Sequence, residues 1–308
     1  MSMIEIKENV PLASLTTFKI GGAARYFVEV HTEDEIREAI QWAQEKDMRL
    51  VILAGGSNVL VPDDGIDALT IRIVSDQFSF AGVELAADAG CNLLSLIRVA
   101  AKKGLGGWER LAGLPGTIGG AVRGNAGAFG SEIQHIVTKV RALDVETGEI
   151  LEFPNEVCDF SYRHSFFKDN PEWIITRTYL QLQKIDPEES TKLADATIAD
   201  REKRHLQDVK AAGSFFMNPI APQEVIELFE REKGMSARGG RVPAGWLIEK
   251  VGMKGARVGG AVASEQHPNY LKNDGNATAA DVVALAQQIR DLVREKFGIE
   301  LQEEAALL

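Results

Sequence analysis

At 308 residues the chain is long enough for two or three cores, and its 45% hydrophobic and 26% charged residues are ordinary globular values. The formal net charge of −11 argues against a nucleic-acid-binding surface, so any bound phosphate must be met by local cations and backbone amides. Two unspaced cysteines, Cys91 and Cys158, five scattered histidines, and the lack of an apolar leader or membrane-length run predict a metal-free cytoplasmic protein without disulfides.

Alternation over residues 25–30 predicts a strand. Thr32 followed by Glu35 is a capping-box pattern, and Ile36, Ile40 and Ala43 supply the apolar stripe of the helix it opens. A second strand over 49–53 leads into the small-residue loop Ala54-Gly55-Gly56-Ser57-Asn58, after which 58–61 resumes extended structure. From 67 to about 184 the runs 69–74, 82–85, 139–145 and 173–183 predict an antiparallel-rich region interrupted by one helix over 93–103. The polar stretch 186–210 reads as a connecting helix. Beyond it, Gln223–Lys233 and 245–251 read as helices. Thr278 with Asp281 caps a longer one whose face is Val282, Leu285, Ile289, Leu292 and Val293, and residues 299–308 return to short, partly alternating sequence. The domains expected are 1–66, 67–185, a connecting helix 186–210, 211–298 and a tail 299–308.

The densest signal lies in residues 113–130, where seven of eighteen positions are glycine. Such a run cannot fill a core. It can bring backbone N–H groups close to a large polar ligand, and successive amides form anion-binding concavities. With the loop at 54–58 it points to a phosphate-bearing cofactor held between the first two units. No G-x-x-x-x-G-K-[ST] occurs, and Gly104-Leu105-Gly106-Gly107 ends a helix rather than opening one, which argues against a P-loop or a Rossmann site.

Three polar segments are candidates for chemistry. Ser161-Tyr162-Arg163-His164-Ser165 sets an arginine among aromatics, suited either to a carboxylate or phosphate or to a stacked surface position. In Gly213-Ser214-Phe215-Phe216-Met217-Asn218-Pro219 the serine is a nucleophile, a proton donor or a turn residue, and the flanks are not those of a G-x-S-x-G elbow. Glu303-Glu304 reads alone as a solvated pair.

In order and spacing, Thr17-Phe18-Lys19-Ile20-Gly21-Gly22, Gly55-Gly56-Ser57-Asn58-Val59-Leu60-Val61, the run from Gly113, Tyr162-Arg163-x-Ser165, Gly213-Ser214-Phe215-Phe216 and Phe297-Gly298-Ile299-x-Leu301-x-x-Glu304 are distinctive. Nearly end to end, the chain resembles the UDP-N-acetylenolpyruvoylglucosamine reductases, in their smaller subtype. The resemblance implies an α+β fold: a two-part FAD-binding region of the vanillyl-alcohol-oxidase (PCMH) type and a C-terminal α+β substrate domain. It implies non-covalent FAD, held at Gly55, Gly56, Ser57 and Asn58 and at Gly113, Leu114, Pro115, Gly116, Thr117, Gly119, Gly120, Asn125, Ala126 and Gly127. It also implies NADPH as reductant and a UDP-sugar substrate met by Tyr162, Arg163 and Asn218.

By the same resemblance the catalytic residues are Arg163, Ser214 and Glu304. Hydride passes from flavin N5 to the vinyl carbon, Arg163 and Glu304 stabilise the enolate-like species, and Ser214 supplies the proton. Two departures stand out: Met217 replaces a usual basic residue, for which Lys210, Arg204 or Lys250 could substitute, and Glu304-Ala305-Ala306 replaces Glu-Val-Arg. Another FAD oxidoreductase of this fold, or a weakened nucleotide-sugar-binding relative, are the alternatives.

Overall fold

A computed structural model describes residues 4–203 and 209–308, and these fall into two compact units that interleave along the chain. The first comprises 4–10, Ala24–Gly56 and Asp67–Lys203; the second comprises Pro11–Ala23, Ser57–Ile66 and 209–308. Two short segments expected with the N-terminal subdomain thus pack with the C-terminal unit, because Phe18, Ile20 and Leu60 are buried in the same cluster as Phe215, Phe216, Leu247, Leu285 and Leu301.

The first unit holds two large sheets and, among the described residues, two small two-stranded ones. One runs in the order Lys7–Pro11, Ala23–Val30, Ile66–Ile73, Leu50–Leu53, the last two parallel and in register from Leu50 opposite Leu69. The strands on either side of the Glu33–Glu45 helix are therefore not neighbours; Ile66–Ile73 lies between them. The helix starts where its sequence says: Thr32 Oγ1 accepts the Glu35 N–H at 3.2 Å, and Ile36, Ala39, Ile40 and Ala43 are its buried stripe.

The second sheet is antiparallel, in the order Ile150–Pro154, Val137–Asp144, Trp173–Gln181, Glu84–Asp88, Phe78–Ala81. Leu93–Lys102 and Pro187–Lys203 are its principal helices. The latter realises the expected connecting helix up to Lys203, and positions 204–208 lie outside the described residues.

Helix and sheet are joined within this unit by Glu33. Its carboxylate accepts Arg141 Nε at 2.7 Å and Nη2 at 2.9 Å, and the Thr176 hydroxyl at 2.7 Å. The Arg141 hydrogen bond holds the Glu33 carboxyl below its ordinary 4.5, against the upward push of burial. A depressed folded value means that this stability is complete above pH 4.5 and is lost as pH falls through the folded value. Glu33→Gln is expected to cost about 1 kcal/mol at pH 7, discounted for solvent screening. The difference from the parent should vanish in acid, as thermal unfolding at the two pH values would show.

In the second unit, Gln223–Lys233, Ala244–Lys250 and Ala279–Phe297 pack with a three-stranded antiparallel sheet of Arg257–Val258, Ala261–Ala263 and Leu271–Asn273. The long helix has the expected capping box, Thr278 accepting from Asp281 N–H and Asp281 from Thr278 N–H, each at 3.0 Å. Asp63 adds a second cap, accepting the Ala279 and Ala280 N–H groups at 2.8 and 3.0 Å. The buried face is Val282, Leu285, Ala286, Ile289 and Val293; Leu292, expected on it, is among the exposed large hydrophobics.

Candidate active site

In the first unit the two small-residue loops come together. A Cβ built on Gly55 would lie 2.7 Å from Gly116 Cα, and one on Gly120 would lie 3.5 Å from Ala54 Cβ. Gly116 has φ +119°, a conformation that glycine alone adopts without strain. The loops touch backbone to backbone, and any side chain at Gly55 would hold them apart.

Part of the glycine run is used differently from the sequence expectation of bare amides. Ile118, Gly119 and Gly120 donate their N–H groups to Cys91 O (2.9 Å), Ala89 O (3.0 Å) and Thr117 Oγ1 (3.3 Å), and Asn125 and Ala126 donate theirs to Val122 O and Ala121 O. These residues build and terminate the Ile118–Arg123 helix. The Asn125 side chain, fully buried, donates to Ser161 O at 2.7 Å and Glu132 Oε2 at 3.1 Å and accepts the Gln134 N–H at 3.3 Å. It staples the glycine run to the Arg163 segment. Within 113–117, Leu114 likewise donates its N–H to Leu111 O at 3.1 Å, and Pro115 has none to give.

Arg163 stands at the tip of a tight turn closed by reciprocal Ser161–His164 backbone hydrogen bonds of 3.2 and 3.0 Å. Its φ of +60° is one that a turn of type II demands at that place and that glycine or asparagine usually fills. The strain, of order 1–3 kcal/mol, is borne by what holds the residue. Its Nη2 donates to Gly127 O at 3.0 Å, its carbonyl accepts Lys168 Nζ at 3.0 Å, and its guanidinium lies 5.2 Å from the Tyr162 ring centroid. Ser165 anchors the segment through Oγ to Arg123 O at 2.7 Å. A Cβ at Gly127 would meet Glu132 Cγ at 2.8 Å and Arg163 Nη1 at 3.3 Å, so this glycine makes room for the guanidinium.

In the second unit, Ser214 follows Gly213 at φ +75° and precedes two buried phenylalanines whose backbone is clamped by Asn269. Phe215 N–H donates to Asn269 O (2.7 Å), Phe216 N–H to Asn269 Oδ1 (2.9 Å), and Asn269 Nδ2 to Phe216 O (2.8 Å). Nothing in the sequence signalled Asn269, which is 2% exposed. Asn269→Ala leaves a buried N–H and C=O unpaired; it is expected to cost about 2–4 kcal/mol in denaturant unfolding and to loosen Ser214.

The C-terminal tail returns to this segment. Glu303 bridges Phe216, Met217 N–H donates to Gln302 O at 2.9 Å, and Glu304 N–H donates to Phe215 O at 2.8 Å. The half-buried Glu304 is thereby tied through its backbone to the residue that follows Ser214. Asn58, expected to hold the cofactor, donates its Nδ2 to Glu304 O at 3.0 Å and accepts the Ala306 N–H at 3.0 Å. Ala306–Leu307 pairs in parallel with Val59–Leu60. The backbone ladder thus anchors the tail although Ala305 and Ala306 depart from the family pattern.

Asn218 faces its own fold, with Oδ1 accepting the Ala244 N–H at 3.0 Å and its carbonyl accepting Arg241 Nη1 at 2.9 Å. Of the cations that could replace one at Met217, Lys250 is paired with Glu232 at 2.7 Å, Lys210 is exposed and Arg204 lies outside the described residues. The thiols offer no nucleophile: burial pushes Cys91 up to about 11 and Cys158 to about 12. Among the described residues, no helix is long and apolar enough to cross a membrane.

Residues 24–154 match the family model described as an FAD binding domain, and the adjoined loops and α+β sheets define a flavoprotein fold. Residues 204–308 match the C-terminal domain model of UDP-N-acetylenolpyruvoylglucosamine reductase. The chain is 35% identical to the reductase of that name from Solibacter usitatus, covering 98% of this chain and 96% of the relative. It is 33% identical to that of Bacillus subtilis, covering 99% and 94%. The crystal structure of the Thermus caldophilus enzyme is similar with a TM-score of 0.77 at 30% identity, covering 100% of this chain and 99% of that one. The chain belongs to the UDP-N-acetylenolpyruvoylglucosamine reductase family.

Proposed function

We propose that the protein is a cytoplasmic, NADPH-dependent, FAD-containing reductase that converts UDP-N-acetylglucosamine enolpyruvate to UDP-N-acetylmuramate for peptidoglycan synthesis. The observation that carries this reading is the family match over 98% of the chain, and it is supported by the return of the tail, where the Glu304 N–H bonds the carbonyl of Phe215, the residue after Ser214.

The segments at 55–56 and 113–117 would hold the cofactor through backbone approach. When bound, FAD supplies reversible two-electron chemistry, so the reductant and the enolpyruvyl ether need not meet. The chain's own residues act on the substrate. Arg163 pairs by charge with the enolpyruvyl carboxylate, into which negative charge spreads as the vinyl carbon gains hydride. Glu304 assists as a hydrogen-bond donor in its protonated form. Ser214 delivers the proton to the carbon next to the carboxylate, so that one hydride and one proton saturate the double bond. A hydroxyl is a weak acid, and the rigid Asn269 clamp contributes the orientation that makes its proton usable. Tyr162, next to Arg163 in sequence, is assigned to substrate binding, whereas the Asn218 side-chain oxygen is held by the Ala244 N–H.

The test is the visible spectrum of the purified protein under anaerobic conditions. NADPH should bleach a flavin band, and UDP-N-acetylglucosamine enolpyruvate should restore it. Restoration by oxygen alone would overturn the substrate in favour of an oxidase. No flavin band even after FAD is added would overturn the cofactor assignment.

A further inference from the structure

Glu304 lies at an irregularity in the tail. Its N–H and that of Ala305 both converge on Phe215 O, at 2.8 and 3.5 Å, while Glu303 bridges Phe216. Two tail residues therefore oppose one, the arrangement of a β-bulge, which re-aims a side chain at a chosen place. Shifting a bulge by one residue changes few backbone bonds but exchanges which of two successive side chains faces which way. Here the two successive residues are both glutamate. Pairing of Ala306–Leu307 downstream fixes the chain after the bulge, not the residue at which the extra length is absorbed. Backbone and carboxylates alone do not tell the two registers apart.

Two side chains do: Asn58 Nδ2 holds the Glu304 carbonyl at 3.0 Å, and an arginine holds the Glu303 carboxylate. Arg290, on the Ala279–Phe297 helix, donates through Nη2 to Glu303 Oε1 as an ion pair whose side chains are 22% and 26% exposed. The helix that carries it is held at its start by the Thr278–Asp281 box and by Asp63. We propose that Arg290 is a positioning residue: by claiming Glu303 it selects the register in which Glu304, and not Glu303, is presented beside Ser214. The proposal rests on the catalytic reading of Glu304.

The test follows both half-reactions of the FAD-loaded protein by anaerobic stopped flow in Arg290→Met, Arg290→Lys, Glu303→Gln and Glu304→Gln. Hydrogen exchange of the 299–308 segment and thermal midpoints are measured alongside. Arg290→Met and Glu303→Gln should leave bleaching by NADPH unchanged and slow reoxidation by the enolpyruvyl substrate by about 10–100-fold, the scale of a misplaced catalytic group. Amide protection at Glu304 and Ala305 should fall, and Arg290→Lys should recover most of the rate. Equal slowing of both half-reactions with a lowered midpoint would overturn the proposal, the role then being structural. Unchanged reoxidation in Arg290→Met, where Glu304→Gln slows it, would overturn the proposal while keeping the catalytic reading. Unchanged reoxidation in Glu304→Gln would remove that reading and the proposal with it.

Discussion

Ser214→Ala is expected to yield a yellow, folded protein that NADPH still bleaches, but whose reoxidation by the enolpyruvyl substrate is slowed about 10²–10⁴-fold, the usual reach of a positioned proton donor. The fold should tolerate the change. Ser214 is only partly buried, and the hydrogen bonds that shape its segment come from Phe215, Phe216 and Asn269 rather than from its hydroxyl. Loss of one oxygen therefore removes chemistry without removing support. Deuterium washed in from solvent at the carbon beside the carboxylate should drop in proportion to turnover. A reoxidation rate within threefold of the parent would show that the proton comes from another group.

Gly55→Val is expected to abolish flavin binding without unfolding the chain. The new Cβ would stand 2.7 Å from Gly116 Cα, and a backbone neighbour cannot swing aside as a flexible side chain can. The loops must part, and on the proposed reading the amides that would meet a pyrophosphate are then spread. Binding that depends on several converging donors is lost steeply when their spacing changes, so affinity for FAD should fall at least about 100-fold, roughly 2.7 kcal/mol. Purified Gly55→Val should be colourless and regain little absorbance at saturating FAD. Gly245→Ala, where an added Cβ meets only ordinary contacts of 3.7 to 3.9 Å, is the control for handling a glycine in this chain.

Much of the frame could be read from residues whose signals are local. The Thr32 cap and the Thr278–Asp281 box declare two helix starts because a cap and its partner lie three residues apart, although the Glu35 carboxylate takes the His31 N–H rather than closing a box on Thr32. The Gln223–Lys233 helix declares its own length, ending in Gly234 at φ +63°. Leu292 was misplaced because it neighbours Val293, which takes the buried side of the turn, and Ala286 is too small to announce itself as core. The strands Arg257–Val258, Ala261–Ala263 and Leu271–Asn273 are too short to show a period of two.

In the site, the glycine run and the Ser214 segment were legible as types. What their side chains do was not. Asn125 and Asn218 are drawn inward by partners at distances of 7 to 36 residues along the chain, and Asn269 acts on a residue 53 positions away. An amide in a loop looks the same in sequence whether it serves a ligand or a neighbouring backbone.

The interleaving of the two units bears on how the chain is made. Pro11–Ala23 and Ser57–Ile66 emerge early from the ribosome, yet the core that buries Phe18, Ile20 and Leu60 includes Phe215, Ile289 and Leu301. At ordinary rates of synthesis those side chains wait roughly 10–50 s for their partners. During that wait they are apolar segments of a nascent chain without their partners, a natural target for a chaperone that holds unfolded hydrophobic stretches. Residues 209–308 made alone would lack three of the side chains in that core, so severing the chain at 203 divides the sequence but not the folding unit.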